Sequence, residues 1–202
     1  MNVKLRFETH LIAGCHWRNR LLMNNYDVTI HMVTQTVSTD EQNVAFDRMR
    51  AMVDNFLNSR VFIDSSEQKQ CKLYRSAGVE ISNLPEAPLD QIIGIMLFLK
   101  LNAVMEGRIV ITSLDLGSEL GDRVVYTHAD GEAIGPFESS GWWHDPTPVV
   151  CDQKYRASRK EDSIVELNAA TSWSALNLDW EPNEKSESDG TVVYADFKRD
   201  DN

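Results

Sequence analysis

From Val3 the chain alternates: Val3, Leu5 and Phe7 are apolar, while Lys4, Arg6, Glu8 and His10 are polar. Period two sends the two sets of side chains to opposite faces of a β-strand, so a second layer must cover the apolar face. The alternation returns at Tyr26, Val28, Ile30 and Met32, set against Asp27, Thr29 and His31. A polar stretch at 17–25 is expected as the loop between two strands that pair locally.

At Asp40 the period changes. Phe46, Met49, Val53 and Phe56 recur at spacings of three and four, with Asp47, Arg48, Arg50 and Asp54 on the other side. Ser38, Thr39 and Asp40 are acceptable caps and Glu41 suits a first turn, so an amphipathic helix is expected over 40–58. Residues 60–87 leave two alternatives open: 61–63, 72–74 and 79–81 are short strands or irregular loop. Pro85 and Pro88 punctuate the chain before a second helix over 89–106, ended by Gly107. Strands are expected at 109–116 and 123–128, joined by a hairpin turn at 117–122. The glycines there make no phosphate loop, because no helix follows and no GxxxxGK is present.

The order is strand–strand–helix–helix–strand–strand, an α+β class. The expected architecture is a ββααββ four-stranded antiparallel sheet with both helices on one face. The second helix is apolar on two stripes, Ile92, Met96, Leu99 and Ala103 beside Ile93, Leu97, Leu101 and Val104. A helix with its back in water shows a narrower stripe. Something must therefore cover its second face, and the chain beyond Phe137 is the nearest candidate; a subunit interface is the rival. There Pro146 and Pro148 break the pattern, and Trp142, Trp143, Trp173 and Trp180 account for four of the five tryptophans. The expected division is residues 1–137 as the α+β domain and 138–202 as an irregular, Trp-containing acidic extension. A short strand at 191–197 is one expectation for its end, a flexible tail the other.

The 202 residues carry 20 Lys+Arg against 31 Asp+Glu, a formal charge of −11. That balance repels phosphate backbones and argues against nucleic acid as a partner. It is uneven: residues 1–137 hold 13 bases and 17 acids, and residues 138–202 hold 7 bases and 14 acids. Three widely spaced cysteines form no disulfide framework, pointing to a reducing, cytoplasmic setting. The greasiest stretch, 92–99, is far shorter than the roughly 20 residues a membrane span requires. None of the five histidines stands in a recognised metal-binding spacing.

Several strings resemble the 6-pyruvoyl-tetrahydropterin synthase and 6-carboxytetrahydropterin synthase family, whose fold is the tunnelling fold. Ile12-Ala13-Gly14-Cys15-His16 resembles the family's first strand, which ends in a zinc-binding histidine. Asn25-Tyr26-Asp27-Val28 resembles the start of its second strand, and Phe62-Ile63-Asp64 sits at its leucine–aspartate–histidine string. Pro88-Leu89-Asp90-Gln91 resembles the start of its second helix, with Gln91 at a glutamate position. The stretch 109–115 resembles its third strand, with Asp115 nearest the acid that anchors a pterin or purine ring. The departures concern the metal. Leu22-Met23-Asn24 stands where the family has His-Gly-His, Arg18 falls near its nucleophilic cysteine, and Ser65 replaces a histidine. A leucine cannot ligate zinc, so no metal and no cofactor is expected.

The resemblance implies a homo-oligomer joined through sheet edges, and an open sheet has edges to protect on physical grounds as well. It also implies a ligand of pterin, purine or 7-deazaguanine type. Asp115 would accept the ring's N–H edge, with Gln91 beside it and His16 and Asp64 as candidates for proton transfer. The alternative is a non-enzymatic oligomeric scaffold or interaction protein, viral or accessory.

Overall fold

The computed structural model describes residues 3–155 and 172–180. Two long strands, β1 (Lys4–Trp17) and β2 (Arg20–Thr34), pair antiparallel along their whole length and meet in a two-residue turn at Arg18-Asn19. The expected loop at 17–25 is therefore strand on both sides. Arg20, Asn24 and Asn25 had masked the alternation, although Leu22, Asn24 and Tyr26 still turn toward the helices.

Helix α1 (Thr39–Ala51) starts at Ser38, whose side chain accepts from the Glu41 N–H, and continues as a π-helical segment, Met52–Leu57. The 60–87 segment is a parallel βαβ unit: β3 (Val61–Asp64), α2 (Gln68–Ser76) and β4 (Ile81–Leu84). Helix α3 (Asp90–Met105) ends where Glu106 and Gly107 both take positive φ. Strands β5 (Ile109–Ser118) and β6 (Tyr126–Ala129) follow. Short 3₁₀ turns at Gly135–Glu138, Trp142–His144, Gln153–Tyr155 and Ser174–Leu176 punctuate the chain beyond.

The expected four-stranded antiparallel sheet is thus a six-stranded mixed sheet in the order β4-β3-β1-β2-β5-β6. The parallel pairings of β1 with β3 and of β3 with β4 make the difference. The two expected helices do share one face, and a third helix adds a layer on the other. Helices α1 and α3 cover one face, over Leu11, Ala13, Tyr26, Val28, Ile30, Met32, Leu114 and Leu116. Helix α2 lies on the opposite face, where Cys71 packs with Val61, Ile63 and Ile81. One strand can serve both layers because consecutive side chains point to opposite sides: Phe62 belongs to the first cluster, Val61 and Ile63 to the second.

Phe137, Trp142, Trp143, Val150 and Trp173 are buried in the main core. The Trp142 indole N–H donates to the Asn83 carbonyl at 2.7 Å, and the Asn83 side chain is bonded to Asp152. The edge strand β4 is wholly buried by this cover, which protects one end of the sheet from pairing with another chain. The segment expected as a strand at 191–197 lies outside the described residues. Among the described residues no helix is long and apolar enough to cross a membrane.

Candidate functional site

Strand alternation and register assemble one polar surface. Lys4, Arg6, Glu8 and His10 of β1, Asp27, Thr29 and His31 of β2, and Ser113 and Asp115 of β5 project from the face that α1 and α3 leave uncovered. Arg6 and Glu8 are paired at 2.6 Å, and His10 Nδ1 lies 2.7 Å from Asp27 Oδ1.

Asp115 is the best-held acid of this surface. The Thr127 hydroxyl donates to its Oδ1 at 2.6 Å, and His31 Nε2 stands 3.7 Å from its Oδ2. Register explains the grouping: Asp115 lies opposite Thr29 on β2 and opposite Thr127 on β6. Next to it the β2–β5 pairing slips between His31 and Met32, so that Ser113 pairs with His31 and Ile111 with Met32. Such a bulge kinks the strand and re-aims the neighbouring side chains.

The other residues singled out from the sequence lie elsewhere. His16 also faces away from α1 and α3, but it is buried beneath α2, sharing a 2.8 Å hydrogen bond between Nδ1 and the Tyr74 hydroxyl. Its Nε2 is buried without a hydrogen-bond partner. His16 pairs with Leu21 and Asp115 with Thr29, so eight residues of β2, about 27 Å, separate them. Asp64 accepts from the Ser66 N–H at 2.7 Å, in the turn that leads into α2. Gln91 is exposed in the first turn of α3. Within one chain, His16, Asp64 and Gln91 thus sit toward the hairpin end of the sheet, apart from Asp115.

A second cluster, which sequence inspection missed, forms under the start of α3. The Cys15 thiol donates to the Pro88 carbonyl at 3.3 Å, and the Ser118 hydroxyl donates to Asp90 at 2.7 Å. Asn24 Oδ1 accepts from the Leu120 N–H. Burial pushes the Cys15 thiol up to about 11, with the Asp90 carboxylate adding to it. The Tyr26 phenol is raised as well, chiefly by burial. Both groups stay neutral at physiological pH. The Cys15 and Ser118 hydrogen bonds tie the helix start to the sheet, while the Tyr26 hydroxyl is buried without a hydrogen-bond partner among the described residues. A neutral thiol is a poor nucleophile, since a thiol reacts as thiolate.

Within one chain, His16, Leu22 and Asn24 do not converge on one point. His16 turns one ring nitrogen to Tyr74, and the neighbours on its own face of β2 are Leu21 and Met23. Leu22 and Asn24 lie on the opposite face, so the pleat alone keeps them from joining His16 around one ion. Among the described residues no group of three His, Cys, Asp or Glu side chains is placed to hold a metal.

No protein-family model and no curated protein matches the sequence. Solved structures are similar in part. An uncharacterised protein from Wolinella succinogenes is 12% identical, with a TM-score of 0.46 over 64% of this chain and 99% of that one. The 6-pyruvoyltetrahydropterin synthase of Plasmodium vivax is 10% identical, with a TM-score of 0.40 over 63% of this chain and 97% of that one. A catalytic-residue mutant of the same synthase is 9% identical, with a TM-score of 0.39. The likeness is weak and divergent.

Proposed function

We propose that this chain is a divergent tunnelling-fold protein that binds a small planar heterocycle of pterin, purine or 7-deazaguanine type, without the zinc chemistry of the synthases it resembles. The observation that supports it is the Asp115 carboxylate, oriented by Thr127 and faced by His31 in a polar sheet face. A carboxylate has about four lone-pair directions. With one taken by Thr127, Asp115 retains acceptors for the paired N–H groups of an amidine edge, a charge-assisted arrangement.

Gln91, exposed, and Asp64, half-buried, reach such a ring only from another copy of the chain, while His16 is covered by α2. The reading therefore includes a homo-oligomer joined through exposed sheet edges, with sites at subunit boundaries. Strand β4 is covered, which leaves β6 as the edge for assembly.

The test is a thermal-shift screen with guanine, pterin and 7-deazaguanine on the full chain and on Asp115→Asn, which exchanges an anionic acceptor pair for a single neutral one. The expected result is a ligand-dependent rise in Tm that the variant loses, with affinity reduced about tenfold or more. Silence with every ring compound would favour the interaction-scaffold alternative. Stoichiometric zinc in elemental analysis would overturn the metal-free half.

A further inference from the structure

We propose that the protruding end of the β1–β2 hairpin is a docking edge for an acidic, extended segment of a partner protein. Strand β5 leaves β2 at Tyr26. At Asn24 and Asn25 the chain leaving β5 still bonds alongside, through the Leu120 and Glu119 N–H groups. Among the described residues, β2 from 20 to 23 is paired to β1 alone. An extended peptide laid there gains main-chain hydrogen bonds at once, as in other strand additions to sheet edges.

The side chains give that peptide a pattern. Leu21 (46% exposed) and Met23 (63% exposed) stand on one face of the free segment, next to Ile12 (49% exposed) on β1. Arg20 and Leu22 stand on the other, and with Trp17 and Arg18 they line a cavity of about 310 Å³. A partner strand with the same two-residue period meets leucine and methionine on one side. On the other it meets two guanidiniums, an indole and a leucine.

Charge selects the sign. Arg18 and Arg20 make no ion pair among the described residues, on a chain whose formal charge is −11. The Arg18 guanidinium lies over the Trp17 ring at 4.2 Å. Arg18 also has φ of 49°, in a left-handed region that suits Asn19 after it but that an arginine seldom adopts. An arginine kept in that conformation, laid on an indole and without a counter-ion among the described residues, is poised for a carboxylate. A second copy of this chain fits less well, because joining two such edges gathers both arginine pairs at one joint with no carboxylate between them.

The experiment uses the full chain and a fluorescein-labelled short peptide that alternates glutamate with leucine, beside its lysine–leucine counterpart. Anisotropy should show binding of the acidic peptide only, weakened about tenfold in high salt. Hydrogen exchange on the wild-type chain should then show new protection at residues 20–23. The double variant Arg18→Ala/Arg20→Ala, both side chains lying at the hairpin end, should weaken binding about tenfold or more while leaving Tm unchanged. Equal binding of both peptides, protection elsewhere in the chain, or undiminished binding by the double variant would each overturn the proposal. So would a concentration-dependent dimer that Leu21→Arg abolishes, which would assign this edge to a second copy.

Discussion

His128 carries its imidazole on the helix-covered side of β6, 1% exposed, with the Phe98 ring edge-on at 4.7 Å. The Tyr126 hydroxyl lies 3.3 Å from Nδ1, and Nε2 is buried without a hydrogen-bond partner. Burial lowers its pKa below the ordinary 6.5; the carboxylates of Glu132 and Asp130 oppose the shift without cancelling it. An unfolded chain then binds this proton more readily than the folded one at any pH between the two values. Stability from this site is full above about pH 6.5 and is lost as the pH falls toward the folded value. Melting temperatures recorded between about pH 7.5 and 5 should decline on the acid side, and His128→Leu should flatten that decline. Equal slopes for the two proteins would remove His128 as the cause. Cys15 and Cys71 are neutral for a related reason: burial raises both thiols, so a reagent meets little thiolate there in the folded chain.

Helix α3 shows how elements constrain one another. Gly94 sits in its interior, where glycine costs about 1 kcal/mol relative to alanine. A Cβ there would stand 2.8 Å from the Tyr126 ring of β6, so the residue that weakens the helix is the one that lets β6 approach. Gly94→Ala should lower stability by about 1 kcal/mol, because overpacking costs more than the helix propensity returns. Urea denaturation decides this, and an unchanged or stabilised variant would show that the ring moves aside freely. The elements that were legible in the sequence were the long ones with a single buried face. Alternation placed β2 and β5 on the correct face, and the three-and-four spacing gave α1. Helix α2 was not legible, because only Cys71 of its nine residues is buried and no period emerges from one point. Strands β3 and β4 are four residues each and almost wholly buried, so neither shows alternation. The turn at Arg18-Asn19 lacks the glycine that usually marks a two-residue hairpin, which hid the length of β1 and β2. Of the candidate site, Asp115 and His31 could be placed on one face by parity alone. The separation of His16 from Asp115 depends on register, and no single strand carries that information.

For the whole molecule, the division of labour between the two ends of the chain turns on Lys100. Its ammonium is wholly buried in the middle of α3, where an unpaired charge would be prohibitive. It donates instead to three main-chain carbonyls, of Trp142, Asp145 and Thr147, at 3.0, 2.6 and 2.8 Å. A lysine at that position makes sense only with those carbonyls in place, so the apolar helix and the later residues specify each other. Arg48 repeats the device at the other end: its guanidinium lies 3.8 Å from the Trp180 ring, donates to the Leu178 carbonyl and pairs with Glu106. Cutting the chain after Phe137 removes all three carbonyls from Lys100 and takes Leu178 and Trp180 from Arg48, which keeps only Glu106 of the partners named. It strands one buried ammonium and uncovers the core surface now filled by Trp142, Trp143, Val150 and Trp173. Each buried tryptophan covers on the order of 200 Å², enough to leave an exposed apolar patch of the kind that drives association. The truncated chain is therefore expected to aggregate on expression or to elute as large species in size-exclusion chromatography. Adding Lys100→Met to the truncation should not rescue it, because the apolar surface remains. A soluble truncate with a cooperative unfolding transition would mean that residues 1–137 fold alone and that the tryptophans only decorate a finished core.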